Sequence, residues 1–360
     1  MLRFWFVLLL GVGLAAYAQQ PTHTLHFTVE SPILLKEQKG FYFRSVSEVL
    51  RIDTLLWVLT RRPNSVLIFD LQGQPVQRLA PEGGGPGELR LPKRPRCYRD
   101  TVWIWDGMGT RFQLFHARQR TFLGTVSGFS VNAHDMVYLP DMQLVVFIHN
   151  LKEENFLNLF DLRRQMYLRA LGKWAYENAV LSLWDQTLHL AAQGPYVYFA
   201  PPAEAALARL DVRTLEIETF PLDVPEFSVA PYKGGPAPYA PEVAPFLFTQ
   251  SINRGVWRTR LGLMLVLETG PYQPTVEGTR VDIIWRKQKK RKVHFVLVDP
   301  STMRQIGHVQ WDGAFIHQHK LIGLVGWDPE TTTFYFYGQR ETDPIHQITP
   351  VRFYLEPEAH

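Results

Sequence analysis

The chain is short of the residues and runs that would settle its class quickly. Among 360 residues there is one cysteine, Cys97, which excludes a disulfide framework, a cysteine-based zinc finger and a thiol pair. After the first 18 residues no apolar stretch approaches the roughly 20 residues a membrane-spanning helix needs. The strings G-x-S-x-G, H-E-x-x-H, the EF-hand loop and the Walker A loop are all missing. No cofactor motif is present. Long breaker-free segments are missing as well: 25 glycines and 26 prolines are spread along the chain, which disfavours long helices and favours short elements joined by turns. With 46% apolar and 20% charged residues, the composition is that of a folded globular chain.

The first 18 residues read as an export signal. Arg3 gives a positive start, residues 4–14 are apolar or glycine, and Ala16-Tyr17-Ala18 is a small-x-small cleavage site before Gln19-Gln20. The apolar stretch of 15 residues is too short for a transmembrane anchor, and no cysteine follows it for lipidation. Residues 19–360 are therefore expected outside the cytoplasm, periplasmic or extracellular, as a single domain and a monomer. A lone cysteine suits that compartment. The chain carries a formal charge of +4, but six cations sit in Arg286-Lys287-Gln288-Lys289-Lys290-Arg291-Lys292. Without that run the chain beyond residue 18 is net acidic, so the basic balance is local and does not mark a nucleic-acid binder.

Short apolar runs, rich in β-branched and aromatic residues, recur in pairs separated by turns. Residues 55–59 lead to 66–70, 102–105 to 112–116, and 144–148 to 156–161. Later, 196–199 lead to 207–211, 263–267 to 293–299, and 334–337 to 351–355. They read as strands, and their lack of strict alternation indicates sheets covered on both faces. The second runs end at spacings of 46, 45, 50, 88 and about 55 residues. A period of 45–50 with several strands per unit is the signature of propeller blades. The expected fold is all-β, a six-bladed β-propeller; the gap of 88 is read as one blade with insertions, and two blades of 44 would make seven. Residues 221–248, with seven prolines, form one such insertion. The last unit has three strands, within 321–326, 332–337 and 349–355. The strand at 24–29 has no partner nearby, so it is expected to complete the last blade and close the ring.

Between the first two units lies Gly83-Gly84-Gly85-Pro86-Gly87-Glu88, followed by Leu89. Residues 77–92 resemble the G-x-GPGE-F stretch of NHL-like and TolB-like six-bladed β-propeller proteins, common as exported proteins of Bacteroidota and related bacteria. The position usually Phe is Leu89 here, and the motif occurs once. The resemblance implies a propeller and a binding surface but no single activity, because related propellers include hydrolases, lyases and interaction modules. From the residues themselves the segment is a tight turn, with Glu88 placed to accept from backbone N–H groups.

Three features could carry function. Arg286, Lys287, Lys289, Lys290, Arg291 and Lys292 lie between strand-like runs, as a hairpin tip that is either a solvated loop or a contact for an anionic glycan, lipid headgroup or acidic protein. Tyr232 and Tyr239, in the Pro-rich insertion, either pack on the rim or form a lid or partner site. His317 and His319 would face the same side of an extended strand and could share a metal, although a two-histidine pair lacks a third ligand. Trp57, Trp103 and Trp105 are expected in the core; Trp174, Trp184, Trp257, Trp311 and Trp327 lie nearer turns and are freer to be exposed. The expected function is an exported binding or scaffolding module whose partner is a protein or an envelope glycan. The alternative is a hydrolase or lactonase-like enzyme with its site in the central channel.

Overall fold

A computed structural model describes residues 23–129, 133–149, 155–172, 189–229, 250–269, 275–277, 280–282, 292–319, 321, 323–340 and 343–356. The export signal expected at 1–18, most of the Pro-rich insertion and the basic run up to Arg291 lie outside these residues. The described residues are almost entirely strand. β1 (His23–Val29) and β2 (Ile33–Leu35) precede a first antiparallel unit, β3 (Ser45–Ile52), β4 (Leu55–Arg61), β5 (Ser65–Asp70) and β6 (Pro75–Ala80). The second unit is β7 (Pro92–Tyr98), β8 (Thr101–Asp106), β9 (Arg111–His116) and β10 (Phe122–Val126). The third is β11 (Ala133–Leu139), β12 (Leu144–His149), β13 (Leu157–Asp161) and β14 (Met166–Leu171). The fourth is β15 (Ala191–Gln193), β16 (Tyr196–Phe199), β17 (Ala206–Asp211) and β18 (Glu216–Pro221).

The fifth unit, β19 (Ile252–Thr259), β20 (Gly262–Thr269), β23 (Lys292–Asp299) and β24 (Arg304–Asp312), is interrupted by the small hairpin β21 (Thr275–Glu277) and β22 (Arg280–Asp282). The described strands between Asp211 and Asp299 thus build one further unit with insertions. The sixth run is β25 (Gly323–Asp328), β26 (Thr333–Arg340), β27 (Asp343–Leu355) and then β1, which pairs antiparallel with β27 from Leu25↔Leu355 to Val29↔Val351. The pairing expected of the N-terminal strand is present. Two parallel joints, β1 to β24 and β25 to β3, link the fifth, sixth and first units into one path of a 13-stranded sheet, with β2 off the path beside β27. No sheet closes on itself: that path ends at β6 and β19.

Side-chain alternation explains the all-apolar strands. In β4, Leu56 and Val58 enter a cluster with Val325, Tyr335 and Ile348 of the sixth unit. Trp57 and Leu59, on the other face, enter a cluster with Val102, Ile104 and Phe115 of the second. Similar clusters join the second unit to the third, the third to the fourth, the fourth to the fifth and the fifth to the sixth. Trp257 and Trp311, expected nearer solvent, are each only 2% exposed in the last of these. They fill the gap between two sheets, where a large ring buries the most area.

Residues 83–89 form the expected turn. Glu88 accepts from Gly85 N at 2.8 Å, and Gly87 has φ of 76°. Gln113 Nε2 donates to the carbonyls of Gly85 and Glu88, pinning the turn to the second unit, while Leu89 is wholly buried between units one and two.

Close backbone approach fixes another glycine. A Cβ on Gly326 would stand 2.0 Å from the Val49 carbonyl oxygen, across the joint of β25 and β3. Gly326→Ala is expected to lose about 1–3 kcal/mol of stability through overpacking. Urea unfolding checks this, and an unchanged midpoint would show that the joint relaxes freely.

Histidines are buried in the sheets. His294 and His308 stack with ring centroids 5.2 Å apart, Nδ1 of one 3.0 Å from Nε2 of the other. Burial, helped by His308 and Lys292, pushes His294 down to about 4, and burial also lowers His308 and His346. The unfolded chain takes up these protons first, so the stabilisation is complete above pH 6.5 and is lost as pH falls towards 4. At 1.36 kcal/mol per pH unit, His294 alone accounts for about 3 kcal/mol. Unfolding free energies at pH 7 and pH 4 should differ less in His294→Gln than in wild type; parallel profiles would remove His294 as a source.

Candidate functional site

The first strand of each unit faces one shared cavity of about 1150 Å³. Leu50, Arg96, Val137, Ala191, Thr259 and Trp327 line it, one from each of β3, β7, β11, β15, β19 and β25. Five of these six strands carry a register shift, at Val46/Glu48, Lys93/Arg96, Ala133/Asp135, Asn253/Gly255 and Leu324/Gly326. An extra residue bends a strand and re-aims its side chains. Gly255 has φ of 143°, and a Cβ there would lie 2.6 Å from His189 N, so first strands approach closely at this junction too.

Behind the cavity wall the bulged strands assemble a buried polar cluster. The Asp135 carboxylate is fully enclosed and accepts from Arg96 Nη2 at 2.7 and 2.9 Å and from Leu190 N at 2.7 Å. Arg94, at φ of 53° in the β7 bulge, receives the Glu48 carboxylate on its main-chain N–H at 3.0 Å. Its side chain donates through Nε to the His134 carbonyl at 2.6 Å and through Nη1 to His189 Nε2 at 3.1 Å. Burial, reinforced by Arg94 and Arg96, holds His189 well below its ordinary pKa, so it is neutral and free to accept. The Arg96 guanidinium lies 4.5 Å over Trp327, and the His189 ring rests 4.6 Å from Trp257. Side chains from all six units therefore meet here. The two guanidinium charges are matched by Asp135 and Glu48.

The mouth is polar and mixed in sign. Arg51 is 3.5 Å from Asp328, and Arg213 pairs with Asp211 at 2.6 Å and donates to the Tyr196 hydroxyl. Arg213 holds the Asp211 carboxyl down to about 2. Arg258 and Arg260 also line the mouth, are exposed, and have no ion-pair partner among the described residues. Cys97 lines it with its thiol donating to the Arg99 carbonyl, and desolvation of the thiol raises its pKa to about 11.

Of the site candidates read from sequence, Lys292 and His319 are described and neither lines this cavity, whereas Trp327 does. Lys292 pairs with Glu226, and its strand partner is Thr269. β20 leaves the mouth side at Gly262 and ends at Thr269 about 23 Å away, so Lys292 lies at the opposite end of the unit. Arg286, Lys287, Lys289, Lys290, Arg291, Tyr232 and Tyr239 lie outside the described residues. Where an extended strand or a loop was expected, position 317 lies in α1 (Gly313–Gln318), started by Asp312 accepting from Phe315 N at 2.7 Å, and His319 follows in a turn. The His319 ring packs 4.4 Å from Phe315. Among the described residues no three His, Cys, Asp or Glu side chains come together as a metal site. Sequence reading missed Arg94, Arg96, Asp135 and His189; the one signal available was charge inside first strands, as in Arg94-Pro95-Arg96.

No protein-family model and no curated protein matches the chain. Solved structures do. A protein of Bacteroides fragilis described as a candidate exported protein aligns at a TM-score of 0.64 and 11% identity, over 92% of this chain and 96% of its own. A member of the DUF4221 family from Bacteroides vulgatus aligns at 0.63 and 10% identity, over 93% and 99%. At such identities the likeness is one of all-β fold. Among the described residues no helix is long and apolar enough to cross a membrane.

Proposed function

We propose that the chain is an exported, NHL-like or TolB-like six-bladed β-propeller that binds a ligand in its axial cavity. Each four-stranded unit is a blade, and β1 completes the sixth. The cyclic series of apolar clusters, first to second and onward to sixth to first, supports this arrangement. Residues 1–18 support export, as does the description of the Bacteroides fragilis protein of similar fold. One observation carries the binding reading: a single cavity takes its wall from the first strand of every unit and opens through a rim of charged side chains. The pairing of Asp135 and Glu48 with Arg96 and Arg94 favours binding over a channel hydrolase. The basic residues 286–292 are a second candidate contact, for an anionic envelope partner, and Tyr232 and Tyr239 a candidate lid or partner site.

Ala192→Trp fills the cavity from β15. Wild-type and variant chains, lacking residues 1–18, would be screened on arrays of envelope glycans and peptides. Ligands retained by wild type and lost from a folded Ala192→Trp support the reading. Equal retention moves the site elsewhere, and an array with no ligand overturns it.

A further inference from the structure

We propose that Arg258 and Arg260 form an oxyanion subsite at the cavity mouth, and that the cavity ligand is an otherwise uncharged molecule carrying one carboxylate, sulfate or phosphate group. This rests on the cavity reading above and names the chemistry of its occupant. Arg258 is the penultimate residue of β19, and Arg260 opens the two-residue turn that leads to β20; both line the cavity mouth. Arg258 and Arg260 are exposed, while Thr259 between them is buried with its hydroxyl donating to the Gly262 carbonyl. Both arginines are anchored by rigid neighbours. Trp257 lies in the core, and Arg260 N donates to the Pro329 carbonyl of the sixth unit.

The other arginines of the wall are already engaged: Arg51 with Asp328, Arg96 with Asp135, and Arg213 with Asp211. Arg258 and Arg260 have no such acid among the described residues, so two like charges flank Thr259 where β19 turns into β20. An oxyanion between them relieves that repulsion and accepts from both planar donor forks. The rest of the mouth limits the ligand. Asp53, Asp141 and Glu330 line it as well, and they would repel a chain of anions. One charged group on a neutral body satisfies both facts.

The test compares sugars that differ only in charge: glucuronate, glucose 6-sulfate, glucose 6-phosphate and glucose, with polyphosphate as the polyanion. Binding is read by saturation-transfer NMR and calorimetry. The singly substituted anionic sugars should bind at least tenfold more tightly than glucose or polyphosphate, and more weakly as salt rises. Arg258→Gln with Arg260→Gln should erase that preference without moving the melting temperature, since both side chains are exposed. Comparable binding of glucose, an unaltered double variant, or no binding by any anionic sugar would overturn the proposal. Which of the three anionic sugars binds best separates the carboxylate, sulfate and phosphate sources. Loss of binding in Ala192→Trp but not in the double variant would leave the cavity reading standing and remove the subsite. The reverse pattern would keep the subsite and remove the cavity reading.

Discussion

Asp135→Ala is expected to destabilise the protein by about 3–5 kcal/mol, the range for removing one partner of a buried charge pair. The carboxylate is fully enclosed, and its loss strands the Arg96 guanidinium and the Leu190 N–H together. The arginine has no alternative acid within reach, because Glu48 is already taken by the Arg94 backbone. Asp135→Asn keeps an acceptor for Leu190 but removes the charge, so it should fall between wild type and alanine. Chemical denaturation of the three proteins measures the series. An alanine variant within 1 kcal/mol of wild type would mean that water enters the cluster and replaces the carboxylate.

Deleting residues 23–30 should have a comparable or larger effect. The lost strand contributes Leu25, which is 1% exposed, and Phe27, whose ring packs against Trp311, Phe315 and Phe353. At about 1.5–3 kcal/mol per buried apolar side chain, these two account for about 4 kcal/mol before the uncovered edge of β27 is considered. A fall in melting temperature of about 10 °C follows for a chain of this class. The exposed backbone groups of β27 would also invite association, visible as larger species in light scattering. A truncated chain with an unchanged melting temperature would show that β1 is an accessory strand.

Much of the architecture could be read from residue order alone, because it depends on local chemistry. Apolar pentads such as residues 55–59 and 263–267 cannot leave a face in water, so they require a sheet covered on both sides. Glycines and Pro86 announce the turn at 83–88. An N-terminal strand with no neighbour points to a distant partner, which proved to be β27. The candidate site was not legible for a related reason. Its members, Glu48, Arg94, Asp135 and His189, are spread over more than 140 positions, one or two per strand. No spacing rule links them; the bulges that aim them inward depend on pairing with the next strand, not on a sequence word. Local pattern misled at 313–318 and at Trp257 and Trp311. There a capping aspartate started a helix, and inter-sheet packing drew in rings that stand close to turns.

The partnership of Leu25 with Leu355 has a bearing on how the molecule is made. Those two residues are 330 positions apart, so the first strand to emerge must wait for nearly the whole polypeptide before it finds its ladder. Loop closure over that distance carries an entropic cost that local hairpins avoid, which makes docking of β1 a late step on the route to the native state. Every prematurely terminated product lacks the seat for its own beginning. The fold thereby distinguishes full-length molecules from fragments, and incomplete chains are left with an open sheet edge for proteases to find.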